Sequence, residues 1–196
     1  MADTEIQAIL ELLSALFISG RTGILMLFLV AAAVIDSRSH RIPNWLVLSG
    51  ALYAIVYNTL VPLWPNGTIL FPLAGLALGL ALFLPIYLLR AMGAGDVKLL
   101  AMVGAFIGPG AVWQAALASL IVGGFLAILY VLFKGTARRL YRNLSSIFRM
   151  SVADAMTGTL PSFRVSTAVS AGRLPYGIAI ALGTISFLVL HQLAFI

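Results

Sequence analysis

Long apolar runs, separated by short segments that hold nearly all of the charge, constrain this chain more than any other feature. A helix that crosses the hydrocarbon core of a bilayer needs about 20 largely apolar residues, with every backbone N–H and C=O bonded inside the segment. By that rule the runs predict spans over about 20–36, 45–63, 69–89, 96–108, 111–133 and 175–195. Hydrophobic residues fill 62% of the 196 positions, charged residues fill 9%, and the mean hydropathy is +1.09. No soluble domain could cover its surface from so few polar groups, so the bilayer must serve as solvent. The expected fold class is all-α: one polytopic membrane helix bundle over residues 1–196, with about six transmembrane helices. The fourth run is short. At about 1.5 Å per residue it does not reach across a bilayer, so it must be tilted, sheltered by neighbouring helices or set in thinned lipid.

Two further segments are read as lying outside the spans. Before Arg21, Ile6, Ile9, Leu10, Leu13, Leu16 and Phe17 repeat at helical spacing but are interrupted by Glu5, Gln7 and Glu11. That pattern predicts an interfacial amphipathic helix, not a seventh crossing. The stretch 134–174 is the one sizeable polar region. In it Arg138, Arg139, Arg142 and Arg149 flank an apolar helical face of Leu140, Leu144, Ile147 and Phe148. A basic helix lying on anionic lipid fits that composition, as does a plain solvated linker. An uncleaved first span is expected, because Arg38 and Arg41 follow its apolar run, whereas a secretory signal carries its positive flank in front.

Lysine and arginine placement sets the orientation. Eleven of the twelve basic residues fall between spans one and two, three and four, or five and six; Arg21 alone lies on the other side. The positive-inside rule therefore puts both termini outside and the three basic loops in the cytoplasm. The same placement explains the net charge of +6 as orientation in a membrane, with no nucleic acid partner. The absence of cysteine removes disulfides, thiolate metal sites and cysteine nucleophiles. His40 and His191, at opposite ends of the chain, make a poor metal site. No cofactor or metal is expected.

Against this apolar background two acids stand out. Of the six acidic residues, Asp36 and Asp96 alone sit at the ends of spans, on the side with the basic loops. An ionisable group at membrane depth costs roughly 2.5–3.5 kcal/mol at a helix centre and less near an end, so it usually lines a cavity or serves function. Asp96 follows two glycines in Met92-Gly93-Ala94-Gly95-Asp96-Val97-Lys98, where glycine permits positive φ and close backbone approach. Asp36 precedes Arg41-Ile42-Pro43-Asn44-Trp45, where Pro43 stops the first helix, Asn44 can cap the second and Trp45 anchors at the interface. Two carboxylates at one site share a proton, so that one polarises a carbonyl while the other deprotonates water.

These residues resemble a known family. Gly93-Ala94-Gly95-Asp96, followed by Val97-Lys98, is similar to the GxGD motif of membrane aspartyl proteases. Asp36 with Arg41-Ile42-Pro43-Asn44 resembles the first-aspartate motif of prepilin peptidases, and Leu174-Pro175-Tyr176-Gly177-Ile178-Ala179 resembles their C-terminal segment. The resemblance implies a six-helix endopeptidase of the bacterial cytoplasmic membrane that removes the leader of type IV prepilins or pseudopilins. It implies Asp36 and Asp96 as catalytic residues, with Gly93, Gly95, Lys98, Arg41, Pro43 and Asn44 in supporting motifs. Bifunctional members carry an extra cytoplasmic region, commonly with paired cysteines, and N-methylate the product. This chain has neither feature, and so is similar to the small peptidases that serve Flp-type tight-adherence pili, without methyltransferase activity. Two other readings compete: a small proton-coupled transporter, and a non-catalytic membrane subunit of a pilus or secretion machine. The position of the aspartates near one face, away from the midplane, counts against transport.

Overall fold

In the computed structural model the chain is all-α. The structure describes residues 20–60, 69–89, 91–133 and 176–193, so the expected helix before Arg21 and the basic stretch 134–174 lie outside it. Six helices occupy the described residues: α1 Gly20–Ser39, α2 Asn44–Leu60, α3 Leu70–Leu88, α4 Ala94–Ile107, α5 Pro109–Phe133 and α6 Tyr176–Leu193. They match the six expected spans in order. Among the described residues α1, α3 and the Pro109–Tyr130 part of α5 are long and apolar enough to cross a membrane, and α6 is apolar but a little shorter. The chain divides into two compact units, Met1–Gly123 with Pro175–Ile196, and Gly124–Leu174. In the second, the described residues 124–133 are the last part of α5. All that follows concerns the first.

The short helix α4 is the centre of that unit. Every residue from Asp96 to Phe106 is buried except Lys98. Helices α1, α2, α3 and α6 all pack on it, and α3 does so most extensively. Of the three ways to accommodate a short span, this chain uses shelter by neighbours.

Small residues make that shelter tight. A Cβ added to Gly75 of α3 would collide with the Gly104 carbonyl of α4, and one added to Gly79 would lie 2.6 Å from the Leu100 carbonyl. The two backbones therefore touch directly, which gains dispersion contact that lipid tails cannot outcompete. Gly123 leaves room in the same way for the Tyr176 ring.

The ends of α4 are closed by different devices. At its C-terminus Gly108 adopts φ 81, its N–H bonds the Gly104 carbonyl at 2.8 Å, and Pro109 opens the next helix. The Phe71 ring occupies the space a side chain at Gly108 would need. Asn58, 2% exposed near the end of α2, donates its Nδ2 to the carbonyls of Ala105 at 2.7 Å and Phe106 at 3.3 Å. Carbonyls of a last turn have no partner within their helix, and in an apolar interior no water replaces it.

Three substitutions test this packing. Gly75→Ala is expected to destabilise the fold by roughly 1–3 kcal/mol through overpacking against Gly104. Gly110→Ala, whose added Cβ meets nothing within 4 Å, should stay within about 0.5 kcal/mol. Asn58→Ala, which strips the bonds from two buried carbonyls, is expected to cost about 1–3 kcal/mol. Unfolding titrations in mixed micelles measure all three.

Candidate active site

Asp36 lies in the last turn of α1, 4% exposed. The helix runs three residues past it and stops at Ser39, before Pro43 can act. The stop is His40, a non-glycine residue at φ 49, whose N–H bonds the Asp36 carbonyl at 2.8 Å. Histidine is among the side chains that tolerate this left-handed conformation. Ser39 reinforces the turn, donating Oγ to the carbonyls of Ile35 at 2.8 Å and Arg41 at 3.0 Å.

Asp96 sits in the first turn of α4, 9% exposed. Its Oδ2 accepts the Gly93 N–H at 3.2 Å, so the acid closes the start of its own helix. This is one arm of a capping box; the other arm needs a hydroxyl that Gly93 lacks. Gly93 has φ −77 and ψ 150, an extended conformation open to any residue, so positive φ is not what glycine supplies here. Close approach is. A Cβ on Gly93 would lie 3.2 Å from Asp96 Oδ2, and one on Gly95 would lie 3.2 Å from Ile42 Cβ.

That second contact locks the two aspartate motifs together. Ile42, 8% exposed, seats on Gly95, and a little further along the two segments Lys98 Nζ donates to Asn44 Oδ1 at 3.0 Å. Asn44 was expected to cap α2; its side-chain oxygen serves this bridge instead. Pro43 stands half-buried between the two contacts. The interlock brings Asp36 and Asp96, 60 positions apart in sequence, close enough for the charge of Asp36 to act on Asp96. Arg38 and Arg41 are exposed, and neither is drawn into the cluster as a buried partner.

A third segment completes the site. The N–H of Gly177, in the first turn of α6, bonds Asp36 Oδ2 at 2.8 Å. A side chain there would put its Cβ 2.8 Å from the same oxygen. Tyr176 fixes this helix start. Its ring packs against Gly123 and edge-on to Phe83 at 6.3 Å, and its hydroxyl donates to the Ser119 carbonyl at 3.5 Å. Tyr176 also lies within electrostatic reach of Asp96, and His40 within reach of Asp36.

Each carboxylate is thus held by one main-chain N–H, both are buried, and Asp96 lies within electrostatic reach of Asp36. Two neighbouring carboxyl groups in such a place can hold one proton between them and act as acid and base at the same centre. The N–H of Gly177 was not anticipated as a ligand of Asp36. The Pro-Tyr-Gly break before the last run carried the signal, but it reads equally well as ordinary helix initiation.

The sequence model of the type IV leader peptidase family, Peptidase_A24, matches residues 23–132, more than half of the chain. The chain belongs to that family. No curated protein and no solved structure matches it significantly. Family membership and the apolar helices together make it a membrane peptidase of the prepilin leader type. The matched region holds Asp36, Asp96 and both interlocked motifs, and ends before Tyr176 and Gly177.

Because the Gly177 contact leaves no room for a methyl group, Gly177→Ala is expected to push Asp36 out of place. Displacements of this size cost roughly 10²-fold in rate when the group acts in the reaction. Peptide cleavage per folded enzyme, with folding followed by circular dichroism and gel filtration, checks this. Full activity in the folded variant would show that Asp36 does not depend on the contact.

Proposed function

We propose that the chain is a membrane-embedded aspartyl endopeptidase that removes the short cytoplasmic leader of type IV prepilins or pseudopilins of the Flp type. The observation that carries the reading is the meeting of Asp36 and Asp96, each held by a main-chain N–H, within a chain of the leader peptidase family.

In this reading the pair works with one proton between its two carboxyl groups. The protonated member hydrogen-bonds the scissile carbonyl oxygen. The ionised member takes a proton from a water molecule as the water oxygen bonds to the carbonyl carbon. The tetrahedral intermediate collapses when a proton passes to the leaving nitrogen and the C–N bond breaks. The products are a carboxylic acid and an amine, the dyad is left with one proton, and no covalent enzyme intermediate forms.

The substrate's apolar stretch lies in the bilayer beside its cytosolic leader. With both termini outside and the basic loops inside a bacterial cytoplasmic membrane, the ends of α1 and α4 that carry the aspartates meet the leader at the cytoplasmic face. The link between α1 and α2 is only four residues, His40 to Pro43, and cysteine is absent. Both features support a peptidase without N-methyltransferase activity. The basic stretch 134–174 is assigned to anionic lipid at the same face.

The test is co-expression of a candidate Flp-type prepilin with wild type, Asp36→Asn and Asp96→Asn. Processing by wild type and its loss in each variant, by at least about 10³-fold as expected when a member of a catalytic unit is removed, is the predicted outcome. Equal processing by all three would refute the dyad.

A further inference from the structure

A groove of about 290 Å³ runs between α2, α3 and α4, on the side of α4 turned away from the carboxylates. Asp96 and Lys98 are two residues apart on one helix, so their side chains leave it about 200° apart. The contacts agree: Asp96 meets Gly93 and the charge of Asp36, whereas Lys98 reaches Asn44 and lines the groove.

The groove has a charged end and an apolar body. Lys98 and Asn44 form the end, and side chains including Val47, Ala51, Leu80 and Met102 form the wall. From Asn44 to Ala51 it descends about 10 Å along α2. Trp45, exposed beside Asn44, marks that end as headgroup depth. An ammonium has three donors, of which Asn44 Oδ1 takes one at 3.0 Å, leaving two for an anion. A cation at the headgroup level above an apolar slot is complementary to one amphiphile: an anionic phosphate ester on an acyl chain.

We propose that this groove binds one anionic phospholipid, with its phosphate on Lys98 and an acyl chain along α2 and α3. A substrate segment in the groove would be separated from the aspartates by the body of α4, which argues for lipid as the occupant. The site also gives α4 a link to membrane composition, because Lys98 stands in the same helical turn as Asp96. The proposal does not depend on the catalytic reading, since lipid binding is measured without peptide cleavage.

The experiment uses the full chain in phosphatidylcholine nanodiscs with a phosphatidylglycerol probe carrying a photoactivatable acyl chain. Label is expected on α2 and α3 at the groove. Unlabelled phosphatidylglycerol should compete about fivefold better than phosphatidylcholine, the ratio expected for one lysine contact at a membrane surface. Lys98→Gln should bring that ratio close to one, and Lys98→Arg should restore it. Ala51→Leu, which fills the slot, should remove label from the groove while other lipid-facing positions keep theirs. Asp36→Asn should bind as wild type does. Label spread evenly over all lipid-facing helices, or an unchanged ratio in Lys98→Gln, would overturn the proposal. Displacement of the probe by a prepilin transmembrane peptide would also overturn it and assign the groove to substrate.

Discussion

A helix of fourteen residues at the centre of an apolar chain poses one problem that the rest of the fold answers. At 1.5 Å per residue α4 extends about 21 Å, well short of the roughly 30 Å hydrocarbon core. Its last turn therefore ends where water is scarce, and the unpaired carbonyls there must find partners in protein. Asp96 serves the first turn by accepting the Gly93 N–H, and Asn58 serves the last by donating to Ala105 and Phe106. The glycine contacts with α3 then bring a neighbouring backbone directly against the helix side. The polar residues that look out of place in so hydrophobic a sequence are those that the short helix requires.

Much of this was legible in the sequence, and the boundary of legibility has a physical cause. Hydropathy located six helices because the bilayer demands long uninterrupted apolar runs, a constraint with a period the sequence displays directly. The shortness of the fourth run was visible too, and shelter by neighbours was one of the three ways in which it could be accommodated. The details of its ends were not. Pro43 is the strongest breaker near Asp36, yet α1 stops three residues earlier at His40, because a left-handed residue that returns an N–H to Asp36 can end a helix first. Asn44 carries the composition of a cap, but a longer-range partner, Lys98, takes its side chain. Gly93 and Gly95 were recognised as permissive, while which freedom they supply was decided by what packs against them. Propensity reports what a residue permits locally; tertiary neighbours select among the permitted uses.

The candidate site shows the same division. The two aspartate motifs are conspicuous because acids are rare in apolar spans, and each could be read alone. Their meeting depends on Ile42 fitting the space left by Gly95, and no local pattern encodes that contact. Gly177 was harder still, since its contribution is a main-chain N–H that every residue except proline has. What sets glycine apart at that position is the absence of a Cβ beside Asp36 Oδ2, a property of the assembled site.

Main-chain donors suit the chemistry proposed for this pair. A lysine or arginine bonded to either carboxylate would fix a full negative charge there and oppose the sharing of a proton between the two. A peptide N–H orients an oxygen with a partial charge only, leaving each carboxyl group free to gain or lose a proton as the reaction proceeds. The basic residues of the neighbourhood are accordingly turned outward: Arg38 and Arg41 are exposed, and Lys98 leaves α4 on the far side from Asp96. Low local polarity strengthens the remaining interactions, because the field of each carboxylate on its partner is less screened than in water. Placing the pair at helix ends limits the desolvation cost that a midplane position would impose. The arrangement thus reconciles a requirement for one mobile proton with a surrounding that tolerates little net charge.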